Sequence, residues 1–236
     1  MKANKVAVIN FSGNVGKTTV AGHLIAPRID APIISVESLN QDGSADGLEM
    51  DQMQAKHFGE LQEKLMLEDK AVVDIGASNV ETFLKMMNQY AGSHEEFDAF
   101  VVPIVKERKQ QADSINTINT LLAMGVKPNQ IRVVFNRVEP DDDIKDDFGA
   151  IFGLADKTNI QCRSEAAIYA NEVFEKLKRV SIPLATIVSD ETDYRGQLRT
   201  ATSDEEKEKL VAMISLQRLA KTANSNLDRV FKALFA

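Results

Sequence analysis

The sequence predicts an α/β chain: a doubly wound, mostly parallel sheet flanked by helices, with one long helix at its C-terminal end. Three observations carry this expectation. Six short apolar runs alternate with stretches of helical spacing along the 236 residues, and such alternation builds parallel sheets from crossover units. The loops that hold chemically suggestive residues (11–19, 37–41, 74–78 and 136–137) all follow the C-terminal ends of those runs, which is where open α/β sheets collect ligands. Residues 204–235 contain neither Gly nor Pro, as one uninterrupted helix requires. The expected division is an α/β body over 1–202 and a helix over 203–236, packed on that body or at a subunit interface.

In chain order, the strands are expected over 6–9, 31–40, 71–76, 97–105, 130–136 and 182–188. Helices are expected from residue 16 onward and over 49–67, 80–90, 111–124, 164–177 and 203–235. Met50, Met53, Phe58, Leu61 and Leu65 recur at helical spacing. Residues 41–47 (QDGSADG) read as a turn-rich loop, and the acidic run 139–147 reads as an exposed one. Ser203 followed by Glu206 is a capping box that starts the last helix.

Composition narrows the classes. Hydrophobic residues at 44% and charged residues at 27% suit a soluble globular chain. A single cysteine, Cys162, rules out a disulfide within the chain and fits a reducing compartment. No apolar run approaches the roughly 20 residues that span a bilayer. Met1–Lys5 lead into a core strand without a signal-peptide pattern, so a cytoplasmic protein is expected. A net charge of −7 argues against a globally basic nucleic-acid binder, though not against a local basic stripe.

The chemistry centres on residues 5–20, KVAVINFSGNVGKTTV. An apolar strand, a glycine-bearing turn and a helix start, in that order, are the setting of a phosphate-binding loop. Small residues let the backbone wrap closely, so that N–H groups face a polyanion at a helix N-terminus. Gly13, Asn14, Val15, Gly16, Lys17, Thr18 and Thr19 are thus the candidate nucleotide-binding segment, with Lys17 on the phosphates and Thr18 on Mg²⁺. Asp74 ends a buried strand, where a Mg²⁺-holding aspartate belongs; the blander alternative is a helix cap. Thr18 and Asp74 are the candidate metal ligands, and Lys17, Asp74 and Glu37 the candidate catalytic set.

Read as FSGNVGKTT, the loop resembles the deviant P-loop of the ParA/MinD family of ATPases, roughly x-K-G-G-x-G-K-T-T. Gly13, Gly16, Lys17, Thr18 and Thr19 match. Ser12 stands where the family has a signature lysine that reaches the partner subunit's nucleotide across a dimer, and Asn14 replaces a glycine. The family's second strand ends in a D-x-D-P-Q-like segment that places Mg²⁺ and water. Glu37 and Gln41 match it loosely, while Leu39 occupies the second carboxylate's place. Asn136 and Arg137 resemble another family mark, in which a strand-end Asn amide pairs with adenine. With Val138 and Glu139 following, no N-K-x-D guanine pattern forms, which favours ATP.

The resemblance implies ATP and Mg²⁺ as cofactors, a homodimer, and slow ATP hydrolysis. The departures are most similar to the plasmid stability and conjugation branch, typified by StbB and TraL, which implies a second plasmid-encoded partner protein. On the last helix, Lys207, Arg218, Lys221, Arg229 and Lys232 gather on one face opposite the apolar residues. That row is either a solvated face, a partner contact, or a contact to DNA phosphates as in family members. Two rival functions remain: a nucleotide-binding scaffold without hydrolysis, and a small-molecule kinase whose lid, 189–203, would carry Arg195 and Arg199.

Overall fold

The computed structural model describes residues 3–37 and 47–236. The chain runs β1 (Lys5–Val8), α1 (Lys17–Thr19), a π-helical turn (Val20–Ile25), α2 (Ala26–Ile29), β2 (Ile33–Val36), β3 (Met50–Met53), α3 (Phe58–Leu67), β4 (Ala71–Ile75) and α4 (Val80–Gln89). It continues through β5 (Ala99–Ile104), α5 (Arg108–Ala123), β6 (Ile131–Val138), α6 (Ile144–Asp147), α7 (Gly149–Thr158), β7 (Ala167–Tyr169), α8 (Val173–Val180), α9 (Leu184–Ser189), α10 (Tyr194–Thr200) and α11 (Asp204–Phe235). The strands form one seven-stranded sheet in the order β3-β2-β4-β1-β5-β6-β7. Every pairing is parallel.

Both faces of this sheet are covered, which is why its central strands read as continuous apolar runs. Alternate residues serve opposite layers. Ala7, Val73 and Phe100 pack with α3, α4 and α5 through Leu61, Phe83 and Leu121. Val6, Val72 and Val101 pack with the π-helical turn, α8 and α11 through Leu24, Leu177 and Leu227. The order reverses at β1, which has β4 on one side and β5 on the other. The loop after β1 therefore opens at the switch point of the sheet, where a crevice forms.

The helix after that loop widens for an identifiable reason. Pro27 lacks the N–H that would return to His23 O, and its ring crowds that carbonyl. The Arg28 guanidinium takes over: Nη1 donates to His23 O at 2.8 Å and to Leu24 O at 3.0 Å. The same guanidinium reaches α11, with Nη2 donating to Asp228 Oδ1 at 2.7 Å and Asn224 Oδ1 at 2.9 Å. Helix α11 buries Leu216, Ala220, Ala223, Leu227, Val230 and Leu234, alternately four and three residues apart, the stripe of an amphipathic helix. Its start is capped by Ser203, whose hydroxyl accepts from Glu206 N at 3.2 Å.

Five of the expected strands form as β1, β2, β4, β5 and β6, and α11 spans 32 residues. Three expectations are corrected. Residues 49–67 do not make one helix: Met50–Met53 join the sheet edge as β3 beside β2, and the helix begins at Phe58. The sequence MDQM has no alternation, so pairing with β2, not local pattern, decided it. Residues 164–177 likewise contain β7 before α8 starts at Val173. Residues 182–188 are not a strand. Leu184–Ser189 coil into α9 behind Pro183, burying Leu184 and Ile187, while β7 takes the place beside β6. Leu39, Gln41 and residues 41–46 of the turn-rich loop lie outside the described residues.

Candidate functional site

The loop between β1 and α1 is held from three sides. Asn10 is fully buried. Its Nδ2 donates to Pro103 O at 2.9 Å and Ser114 Oγ at 2.7 Å, while its Oδ1 accepts from Ser12 N at 2.8 Å. From α5, Thr117 Oγ1 accepts from Phe11 N at 3.0 Å and Gln110 Nε2 donates to Gly13 O at 3.1 Å. On the far side, Asn136 Nδ2 donates to Val15 O at 2.9 Å. Two residues of the loop take the left-handed conformation: Asn14 at φ 59° and Gly16 at φ 86°. Asparagine tolerates that region better than other side chains, so its replacement of a glycine leaves the turn intact.

At the centre of the site Thr18 Oγ1 donates to Asp74 Oδ2 at 2.7 Å. The register of β1 against β4, Val8 opposite Asp74, sets this meeting. Asp74 is buried, and its Oδ1 has no hydrogen-bond partner among the described residues. Burial pushes its carboxyl up to about 6, against the Thr18 hydrogen bond and the Lys17 charge, which favour ionisation. Lys17 is buried too, and its Nζ donates to Ser12 O at 2.8 Å. Burial pulls its ammonium down to about 8, opposed by the charges of Asp74 and Glu37. Glu37, at the end of β2, is raised by burial and lowered by Lys17. One cation and two carboxylates thus share a partly dry site, with Lys17 and Thr18 adjacent at the start of α1 and Asp74 in the neighbouring strand β4.

That donor set fits a hydrated Mg²⁺ and a polyphosphate. Mg²⁺ takes oxygen ligands, and a buried carboxylate oxygen without a partner beside a threonine hydroxyl supplies them. An ammonium bonded to nothing stronger than a carbonyl is available to an anion. Beside Thr19 and Asn136 a cleft of about 460 Å³ opens, with Arg137, Tyr169 and Phe174 among its walls. Asn136 keeps one Nδ2 hydrogen and one Oδ1 lone pair after serving Val15 O and Arg137 N.

No family model and no curated protein sequence matches the chain. Solved structures do. MinD from Aquifex aeolicus aligns over 99% of this chain and 98% of its own at a TM-score of 0.59 and 12% identity. The fold is MinD-like. The ATP complex of Cyanothece McdA aligns over 95% and 96% at 0.51 and 14% identity. MinD from Pyrococcus horikoshii, complexed with Mg-ADP, aligns over 93% and 95% at 0.50 and 12% identity. The chain therefore shares the fold of these MinD and McdA structures, at low sequence identity.

Within this MinD-like fold the sequence-derived residues fall into two groups. Gly13 through Thr19, Glu37, Asp74 and Asn136–Arg137 converge on the rim of β1, β2, β4 and β6. Lys207, Arg218, Lys221, Arg229 and Lys232 are exposed on α11. Arg195 and Arg199 line a groove between α10 and α11 to which no P-loop residue contributes, so they form no lid over Lys17. Lys106, which follows β5 close to Arg108 and Lys109, is engaged with the acidic run: its Nζ lies 2.5 Å from Asp142 Oδ1 and 2.9 Å from Asp147 Oδ2. Sequence reasoning missed Asn10, Thr117 and Gln110. Asn10 gave one signal, a polar residue just past an apolar strand, whereas Gln110 and Thr117, inside α5, gave none. No helix among the described residues is long and apolar enough to cross a membrane.

Proposed function

We propose that this chain binds ATP with Mg²⁺ at its P-loop and hydrolyses ATP slowly. On this reading it is a cytoplasmic homodimer serving plasmid stability, partition or conjugative transfer. The nucleotide reading rests on the 2.7 Å contact of Thr18 with Asp74, with Lys17 buried next to them. The plasmid role rests on Ser12 and Leu39, the departures it shares with that branch of the family it resembles.

Each residue has a part in this reading. Gly13–Thr19 cradle the phosphates with backbone N–H groups, and Lys17 exchanges Ser12 O for phosphate oxygens. Thr18 and Asp74 hold Mg²⁺, directly or through its water shell. When bound, the ion neutralises charge that builds on the phosphates. Glu37 orients water. Asn136 offers its remaining hydrogen and lone pair to the adenine edge in the Tyr169–Phe174 cleft, while Arg137 closes the same rim. Nucleotide state then biases the loops after β2 and β4, and through them dimerisation or partner binding. The cations of α11 contact a second plasmid-encoded protein, or duplex DNA non-specifically.

The test is steady-state ATP turnover with Mg²⁺, wild type beside Lys17→Ala, with and without duplex DNA. Turnover lost in the variant supports the ATPase. A wild type that binds ATP yet turns over no faster than Lys17→Ala supports a scaffold instead, the reading favoured by a serine at position 12. A wild type that does not bind ATP overturns both.

A further inference from the structure

Helix α11 carries a second, solvent-facing surface that the nucleotide site does not use. Val211 is 53% exposed on it, and Val180, at the end of α8, is 40% exposed. Both line one groove of about 520 Å³ between α8 and α11. Ala212, Met213 and Leu216 extend the apolar lining, and Lys176, Arg179 and Lys207 stand around it with one acid, Glu208. On the other side of Val211 a second groove, about 440 Å³, lies between α10 and α11. Leu198 and Ile214 line it, with Arg195, Arg199 and Arg218. Ser215 and Val211 belong to both grooves, so the two adjoin and form one concave surface.

The charge on this surface is uncommitted. Arg179, Arg195, Arg199 and Arg218 make no ion pair among the described residues. Lys176 and Lys207 pair only with exposed acids one turn away, at 3.5 and 3.7 Å, contacts worth little in water. Six cations about an apolar centre, on a chain of net charge −7, select a partner that is both acidic and apolar. DNA offers phosphates but nothing for a concave valine-lined groove. A bilayer asks for a protruding apolar face, whereas this one is recessed.

We propose that this surface docks an acidic amphipathic helix of a partner protein, laid along α11 with its apolar side over Val211. Lys207, Val211, Ile214, Ser215 and Arg218 follow one helical face over about 16 Å at 1.5 Å per residue, which matches roughly three turns of a partner helix. Carboxylates on its flanks would meet Arg179 and Lys207 at one end, and Arg195, Arg199 and Arg218 at the other. Arg229 and Lys232 lie beyond the grooves and take no part. The inference does not depend on the nucleotide reading, because binding is measured on the nucleotide-free chain.

The probe is a fluorescein-labelled peptide of about 14 residues with leucines on one helical face and glutamates on its flanks. Fluorescence anisotropy with the full chain should show saturable binding in the range of about 10–100 μM. Val211→Glu, Val180→Glu and the double variant Arg179→Glu/Lys207→Glu should each weaken it at least about tenfold, with unchanged melting temperatures, since all four side chains are at the surface. Arg229→Glu/Lys232→Glu should bind as wild type. Absence of saturable binding overturns the proposal, as does equal binding of a peptide with lysines for glutamates or serines for leucines. A 20-base-pair duplex or phosphatidylglycerol vesicles bound in a Val211-dependent way would also overturn it, in favour of nucleic acid or membrane.

Discussion

Gly16 and Asn136 approach so closely that a Cβ on Gly16 would lie 2.1 Å from Asn136 Nδ2. The contact joins the loop after β1 to the end of β6, 120 residues later, through the same amide that donates to Val15 O. It makes Gly16 a requirement of geometry, since its φ of 86° also lies where other residues are strained.

Gly16→Ala should therefore push the Asn136 amide off Val15 and cost about 1–2 kcal/mol from backbone strain alone. A titration with a fluorescent ATP analogue should show affinity reduced at least tenfold, about 1.4 kcal/mol or more. Gly153→Ala, in α7 and outside the loop, is the control. Nothing lies within 4 Å of the Cβ it would add, so affinity should change by less than about threefold. Equal losses in both would show that the close approach does not matter.

The Asp74 carboxyl makes the nucleotide-free chain less stable as pH rises. Its pKa is about 6 in the fold and 3.8 without it, so between those values the folded state holds the extra proton. Stability falls across that window and stays lower above it, by an amount on the order of 3 kcal/mol. Asp142 and Asp190, held below the usual carboxylate range by their hydrogen bonds, act in the opposite direction, so wild type must be compared with Asp74→Asn. Thermal melts should show the variant more stable at pH 7, by roughly 6–12 °C, and no different near pH 3.5, while losing its response to Mg²⁺. Parallel curves at all pH values would mean that Asp74 is not the group responsible.

The C-terminal end of α11 offers a ranked pair of stability changes. Buried Arg132 donates to Leu234 O and lies 4.9 Å from the Phe235 ring centre. Exposed Arg163 donates to Ala233 O at 3.2 Å. Both satisfy carbonyls that a helix end leaves open. Arg132→Met should cost about 2–3 kcal/mol in denaturant unfolding, as a buried charged hydrogen bond does. Arg163→Ala should cost less than about 1 kcal/mol. The reverse order would contradict this account of the cap.

What could be read in advance was what is local. Gly16, Lys17 and Thr18 announce themselves within a few residues, and Asp74 ends a run of apolar β-formers; each needs only its neighbours to be recognised. Ser203 and the Gly- and Pro-free run after it did the same for α11. Met50–Met53 and Leu184–Ser189 were misread because their states depend on which segment fills each sheet edge, β3 beside β2 at one and β7 rather than α9 beside β6 at the other, which no local pattern records. Asn10 was invisible for the same reason. Its partners Pro103 and Ser114 are 93 and 104 residues away. Asn136 was recognised as a strand-end amide, but its hold on Val15 became apparent only when β6 lay beside the loop.

Ser12 gives the most direct test of why hydrolysis would be slow. Its N–H is fixed by Asn10 and its carbonyl by Lys17, so the backbone at this point is set by neighbours that do not depend on the serine side chain. In the family that the loop resembles, the residue here is a lysine that reaches the nucleotide of the other subunit. A cation delivered to the phosphates from a partner subunit can raise phosphoryl transfer by orders of magnitude. Ser12→Lys should then raise ATP turnover at least about tenfold, with a rate per protein that climbs with protein concentration as dimers form. Its nucleotide affinity at low concentration should stay near wild type, because Lys17, Thr18 and Asp74 are untouched. A rate that rises without concentration dependence would place the new ammonium on its own subunit's nucleotide. A rate that does not rise, in a variant that still binds ATP, would assign the slow step to the loop after β2, where Leu39 replaces the family's second carboxylate.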